Sequence, residues 1–390
     1  MRRTALPCAL LLPVALLIAG GQRVGFEEVA PIIFRSCTPC HSPGGPAPFY
    51  LRNYEEARRR SERIGIMVAS KAMPPCQLFS DFGSFSSVPG LSSAELVKLR
   101  QWSAGGALSG VTNTVYEAPK PKARVWRLGQ PAVILKSGPI SAPSEGGIHW
   151  VFAKVKLKQG GRIRGMELRP RDPRAIRQAT IGWASPGISA AKGRTALLPS
   201  VTPIGSWAFG YYTWRIPHGS GISVPDGAEL HVMLQCQATG KRGDASFSLA
   251  LYFDLLRQDP AEWIVLERTG FTIDVGEKPE FVLEHTLEAD SYVTALLPEF
   301  RYACERVDFL ALLPNGQQKA LMAGRWDVYW TGAYTFIAPP LLPKGTSLRL
   351  EATYNNGFDA SHGPDLRVPI EWGYGLQNEL CRMSVQLVRR

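Results

Sequence analysis

Cys37-Thr38-Pro39-Cys40-His41 is the segment of this 390-residue chain whose residue types and spacing carry chemistry most directly. Two thiols at this spacing can each add to one vinyl group of a single haem, and a histidine immediately after the second can turn back to ligate the iron. C-x-x-C-H is the c-type haem attachment pattern, so one covalent haem c is expected, with thioethers from Cys37 and Cys40 and with His41 as an axial ligand. Two other readings compete: a thioredoxin-like redox pair, which needs a βαβ context missing here, and a disulfide framework. A second axial ligand is commonly a downstream methionine. Met73 is the candidate, because it lies in Lys71-Ala72-Met73-Pro74-Pro75 and a residue before proline is pushed into extended backbone, off any helix face. Met67 lies in the helical run Arg63 to Ser70 and reads as core.

Positioning these groups requires helices around the motif. Phe26, Val29, Ile32, Ile33 and Ser36 follow 3.6-residue spacing into Cys37 and predict a first helix that delivers the thiol. Asn53 can cap a second helix, with Glu55 to Arg59 and Glu56 to Arg60 as i,i+4 pairs. Arg58-Arg59-Arg60 reads as a solvated face, with a docking patch for an acidic redox partner as the sharper alternative. Ser92-Ser93-Ala94-Glu95 is a capping box, after which Leu96, Leu99 and Trp102 form one apolar stripe that ends at Gly105-Gly106.

The first 21 residues read as a signal peptide: Arg2 and Arg3, an apolar run from Ala5 to Ala19, then Ala19-Gly20-Gly21 as a cleavage pattern. Fifteen apolar residues interrupted by Pro7 and Pro13 are short for a membrane span of about 20, so no span is expected after cleavage. Export places the mature chain in the periplasm or outside the cell, where disulfides persist. The formal charge of +11 falls to +9 without Arg2 and Arg3. Export argues against nucleic acid as a partner and favours an acidic protein or anionic surface.

With those motifs in view, residues 25 to 108 resemble the small c-type cytochrome domain of exported bacterial proteins. The resemblance rests on CTPCH, PGGPAPFYLRNYEEA, KAMPP and LSSAELVKLRQWSAGGA. It implies an all-α haem domain over residues 22–109. Cys76 departs from the pattern, since such domains usually carry an aromatic after Met-Pro-Pro.

Length and composition extend the reading beyond that domain. At roughly 150 residues per domain the chain is long enough for two or three, and 38 Gly with 31 Pro point to short strands joined by turns. Residues 110–124 lose apolar periodicity and gain Pro and Lys, which marks a linker. Alternating segments at His149–Leu157, Glu229–Gln237, Ser246–Leu255, Val307–Leu313 and Ser347–Tyr354 then predict strands. A break near Gln258-Asp259-Pro260 divides two β-sandwiches, 125–258 and 259–390. The fold expected is multidomain, a small all-α c-type cytochrome followed by an all-β double jelly-roll-like sandwich.

Several phrases in the β half resemble the copper type II, ascorbate-dependent monooxygenases, whose catalytic core is two facing sandwiches. They are ELRPRDPRAIRQA, VPDGAELHVMLQCQATGK, LPNG, WDVYWTGAYTF, LPKGTSLRLEATYNN and IEWGYGLQNELC, in the family's order. The resemblance implies one copper per sandwich, held by His-His and a later His in the first and by His-x-His and a Met in the second. This chain carries Arg177-Gln178 at the His-His position, Gln235 at the later histidine, Glu299-Phe300-Arg301 at His-x-His and Leu380 at the methionine. Guanidinium cannot bind a cation and Leu has no lone pair, so copper is not expected. His149, His218, His231, His285 and His362 are isolated and read as ordinary surface or hydrogen-bonded histidines.

Cys76, Cys236, Cys304 and Cys381 allow three disulfide connectivities, of which Cys304 with Cys381 is favoured. Trp207 to Trp214 and Trp326 to Trp330 read first as core and second as a ligand groove. The function expected first is electron transfer by an exported haem protein to a redox partner. A haem-coupled copper monooxygenase, and a binding module with an accessory haem, are the alternatives; a small-molecule substrate stays undefined.

Overall fold

The computed structural model describes residues 23–390 apart from 44, 76–77, 87–89, 111–115, 119–125, 146–147, 188–199, 212, 217–219, 239, 241, 255–259, 329, 358–367 and 376. The signal segment, most of the 110–124 linker, Cys76, His218 and His362 lie outside the described residues.

Four helices come first: α1 (Phe26–Ser36), α2 (Tyr54–Arg58), α3 (Ser61–Ala69) and α4 (Ser93–Ala104). The apolar stripe of α1 is buried as its periodicity requires, with Phe26, Val29, Ile32 and Ile33 inward. Helix α4 starts on the expected capping box, in which the Ser92 hydroxyl accepts from the Glu95 N–H and the Glu95 carboxylate accepts from the Ser92 N–H. Its Leu99 and Trp102 join α1, Ile64 and Val68 in one small core. Asn53 caps α2 by accepting from the Glu56 N–H. The i,i+4 pairs expected beyond it give way to nearer partners: Glu56 pairs with Arg52, and Glu55 reaches Arg58 at 3.6 Å. Between α2 and α3 the Arg59 N–H still donates to Glu55 O at 3.2 Å, but the Arg60 N–H turns to Ala57 O at 3.0 Å.

The rest is all-β and jelly-roll-like. In the first sandwich one sheet runs Val133–Lys136, Phe247–Phe253, Gly161–Pro170, Thr213–Arg215, and the other runs Ile148–Lys156, Glu229–Gln237, Ile176–Ala184, Thr202–Ala208. In the second, Glu280–Thr286, Ser347–Tyr354, Cys304–Leu312 and Gln318–Arg325 face Ala261–Arg268, Cys381–Arg389, Ser291–Phe300 and Tyr334–Thr335. Pairing is antiparallel throughout these four sheets, and neighbours distant in sequence lie side by side. Alternation explains the layers: Leu230, Val232 and Leu234 fill the first core, while His231, Met233 and Gln235 point to the sheet's other face.

That other face is not left to water. The Thr331 N–H donates to Gln178 Oε1 at 2.9 Å and the Ala333 N–H to Ser206 Oγ at 2.6 Å, which joins the two sandwiches by side-chain to backbone bonds. Ala261 and Val388 of the second sandwich pack into the apolar cluster of the first. The helical region is tied in as well. Phe79 exchanges two 2.9 Å backbone bonds with Ala323 on the edge strand Gln318–Arg325, and Phe85 inserts against Tyr334 and Phe336. Residues 78–86, expected inside a self-contained 22–109 unit, thus cover an edge of the second sandwich.

Candidate cofactor site

A cavity of about 320 Å³ opens where the helices meet both sandwiches. Its helical side carries Cys37, Cys40, His41, Met67 and Met73, and its β side carries Arg177, Gln178, Phe209 and Trp330.

The motif is shaped by the end of α1. The Cys37 and Thr38 N–H groups both donate to Ile33 O, and the His41 N–H then donates to Cys37 O at 3.0 Å, so the two thiols and the imidazole stand on one turn. Thr38 Oγ1 donates to Leu51 O and the Leu51 N–H to His41 O, which fixes the 46–51 loop as a second wall. His41 Nδ1 lies 3.1 Å from Phe49 O. A carbonyl only accepts, so Nδ1 carries the proton and Nε2 keeps its lone pair, the arrangement a metal-ligating histidine adopts. Burial lowers the His41 pKa against the Phe49 hydrogen bond, which favours the neutral ring.

Burial pushes the Cys37 thiol up to about 12 and Cys40 up to about 11, with Arg35 and Arg177 respectively pulling the other way. The cavity walls are otherwise mainly apolar, and the donor set of two thiols, an imidazole lone pair and a thioether fits a covalently held haem iron.

Met73 reaches the cavity from its loop and is 43% exposed. Met67, expected in the core, is half-buried in the cavity wall instead. The Ala72 and Met73 N–H groups both donate to Met67 O, at 2.9 and 3.1 Å, so the chain folds back at the end of α3 and brings both thioethers to the same space.

The six positions read as replaced copper ligands separate into two groups. Arg177 and Gln178 line the cavity with the cysteines, and Gln235 lies in register with Gln178 on the neighbouring strand, 2% exposed. Glu299, Arg301 and Leu380 form a different, buried cluster in the second sandwich. Glu299 stands 3.4 Å from Arg382 Nη1, its register partner. The backbone N–H groups of Arg301, Ala303 and Leu380 all donate to the Glu379 carboxylate, at 2.5, 2.9 and 2.8 Å.

Among the described residues the cysteines are free, including Cys304 and Cys381, so the favoured disulfide is not formed. Each thiol is engaged elsewhere: Cys304 Sγ donates to Arg306 O at 3.6 Å, and Cys381 shares a hydrogen bond with Tyr354. No group of three His, Cys, Asp or Glu side chains able to hold a metal ion occurs among the described residues. Nor is any described helix long and apolar enough to cross a membrane.

Phe209 and Trp330 belong to the two aromatic stretches read first as core and second as a ligand groove, and both line the cavity. Nothing in their spacing distinguishes Trp330, in the cavity wall, from Trp326, which packs on Phe300 inside the second core.

No family model and no curated protein matches the chain. Solved structures that share part of its course include the major capsid protein P2 of bacteriophage PM2, at 10% identity, covering 66% of this chain and 97% of that one, with a TM-score of 0.26. PNGase F, a glycosylasparaginase from Flavobacterium meningosepticum, is 10% identical over 66% of this chain and 95% of its own, at 0.31. An allantoicase is 11% identical over 62% and 78%, at 0.19. At these scores the neighbours carry no argument about activity.

Proposed function

We propose that this chain is an exported c-type haem protein that transfers electrons, with haem c joined to Cys37 and Cys40 and its iron held by His41 and Met73. The observation that carries the reading is the convergence of those four side chains, from one turn and one separate loop, on a single mainly apolar cavity. The haem, when bound, supplies a one-electron Fe(II)/Fe(III) couple. The chain's own residues do the rest: Phe49 fixes the His41 tautomer, the 46–51 loop and α3 close the walls, and His41 and Met73 would be the protein groups that hold the iron. An iron held by two protein side chains would suit electron transfer better than turnover of a substrate at the metal.

In this reading residues 22–109 form the cytochrome domain and the two sandwiches are its scaffold, within a periplasmic or secreted protein whose signal peptide is removed. The electron partner is a protein with an acidic face, matched to the exposed Arg63 of the cavity wall and to the exposed Arg58-Arg59-Arg60 run that precedes it in the chain. The copper monooxygenase alternative is set aside on the donors present. Gln178 is taken up by Thr331 and Glu299 by Arg382, and neither Arg301 nor Leu380 offers a lone pair.

Iron, copper and covalent haem per chain, measured on protein exported from a host able to attach haem, test the proposal. One iron, no copper, and loss of the covalent haem in a Cys37→Ala, Cys40→Ala variant is the expected result. Wild-type protein without covalent haem, or with stoichiometric copper, overturns it.

A further inference from the structure

We infer that Arg177, presented by the first sandwich, is a positioning charge that raises the reduction potential of the haem; this rests on the haem reading above. The local backbone is built to aim it there. In the ladder between Ile176–Ala184 and Glu229–Gln237, Ile176 pairs with Cys236 and Gln178 with Gln235, so Arg177 is the extra residue of a β-bulge. A bulge re-aims a side chain that regular alternation would send to one sheet face or the other. Ile176 enters the first core and Gln178 turns to Thr331 of the second sandwich, while Arg177 lines the cavity.

The bulge is also clamped against the haem-attachment motif. Arg177 O accepts from the Phe209 N–H at 2.9 Å, and Phe209 O in turn lies 3.7 Å from Cys40 Sγ. Next in sequence, Gly210 has φ +88° and lies so close to Pro39 that an added Cβ would sit 2.6 Å from the Pro39 Cβ. A side chain there would be strained by the backbone and would push the Cys-Thr-Pro-Cys-His turn off the sandwich. Among the described residues that line the cavity, the charged side chains are Arg63 and Arg177, and none is a carboxylate.

Reduction of ferric to ferrous haem removes one positive charge from the iron. A fixed guanidinium in a mainly apolar wall repels the ferric form more than the ferrous form, and low local polarity strengthens that repulsion. Reduction is therefore favoured by Arg177. The two residues at the His-His position of the resembled copper family thus serve separate ends, one turned to the cavity and one to the seam between sandwiches.

The full-length holoprotein tests this by dye-mediated redox titration, with covalent haem content and thermal midpoint measured alongside. Arg177→Gln is expected to shift the Fe(III)/Fe(II) ratio at fixed ambient potential about tenfold toward Fe(III), a fall of about 59 mV for one electron. Arg177→Lys keeps the charge and should stay near wild type, with haem content unchanged in both. Gly210→Val should lower the potential and make a second Arg177→Gln change nearly silent. An unchanged potential in fully haem-loaded Arg177→Gln protein overturns the inference, as does an equal fall in Arg177→Lys. Absence of covalent haem from wild-type protein overturns the haem reading and takes this inference with it.

Discussion

The first and second sandwiches differ most where they are most alike in the resemblance. In the first, Arg177 and Gln178 sit at a surface of the sandwich and work outward, one into the cavity and one across the seam to Thr331. In the second, Glu299 and Arg301 work inward: Glu299 is 4% exposed beside Arg382, and the Arg301 backbone is bound to Glu379. Polar residues on facing sheets therefore have two fates. At an interface they become walls and tethers for a neighbouring unit, whereas in an enclosed layer they must neutralise one another, because an unpaired buried charge is costly.

The comparison can be broken hardest at Glu299. Glu299→Ala leaves the Arg382 guanidinium buried without its carboxylate and should destabilise by about 3–5 kcal/mol in denaturant unfolding. Glu299→Leu with Arg382→Met together should recover most of that loss. A single variant as stable as wild type would show that the pair is not the closed, mutually dependent unit described here.

Glu379, in the same layer, should make stability depend on pH. Burial raises its pKa to about 7, against three backbone N–H donors and the Arg301 charge that hold it down. An unfolded Glu titrates near about 4.3, so between the two values the folded chain binds one more proton than the unfolded chain. The contribution is complete below about pH 4.3 and is lost as pH rises through about 7. Its slope is at most about 1.4 kcal/mol per pH unit. Urea titrations from pH 5 to 8 should show stability falling, with a flatter profile in Glu379→Gln; an equal slope in both would clear Glu379 of the effect.

Gln178 sharpens the interface side. Gln178→Leu orphans the Thr331 N–H and should cost about 2 kcal/mol while also loosening the seam, readable as faster hydrogen exchange at Thr331 and Ala333. Smallest is Ser92→Ala, which removes the α4 cap and should cost about 1 kcal/mol, with the sandwiches unaffected. A comparable loss in the exchange protection of residues 331–333 would mean that the helices and the seam unfold together.

Much of the fold was legible because it follows local rules. The capping box at Ser92, the stripe ending at Trp102 and the strands Glu229–Gln237 and Ser347–Tyr354 fall where capping and alternation place them. Met67 was misread for a physical reason: its helical spacing is real, but the backbone folds back on Met67 O, and spacing along α3 carries no information about that return. The Cys304–Cys381 pairing failed in the same way, since proximity between two buried thiols does not decide which hydrogen bonds they make instead.

By itself the sequence determined which donor atoms Cys37, Cys40, His41 and Met73 can offer, because residue type fixes the donor, and for the first three their spacing places them within about one turn. It also determined the all-β character of the remainder, since alternation and turn residues act over a few positions. Only the tertiary structure decided that Arg177, Phe209 and Trp330, which lie 136 to 289 positions beyond His41, close the other side of the same cavity. A bulge, a close approach at Gly210 and the packing of two sheets set those positions, and each depends on which distant strands pair.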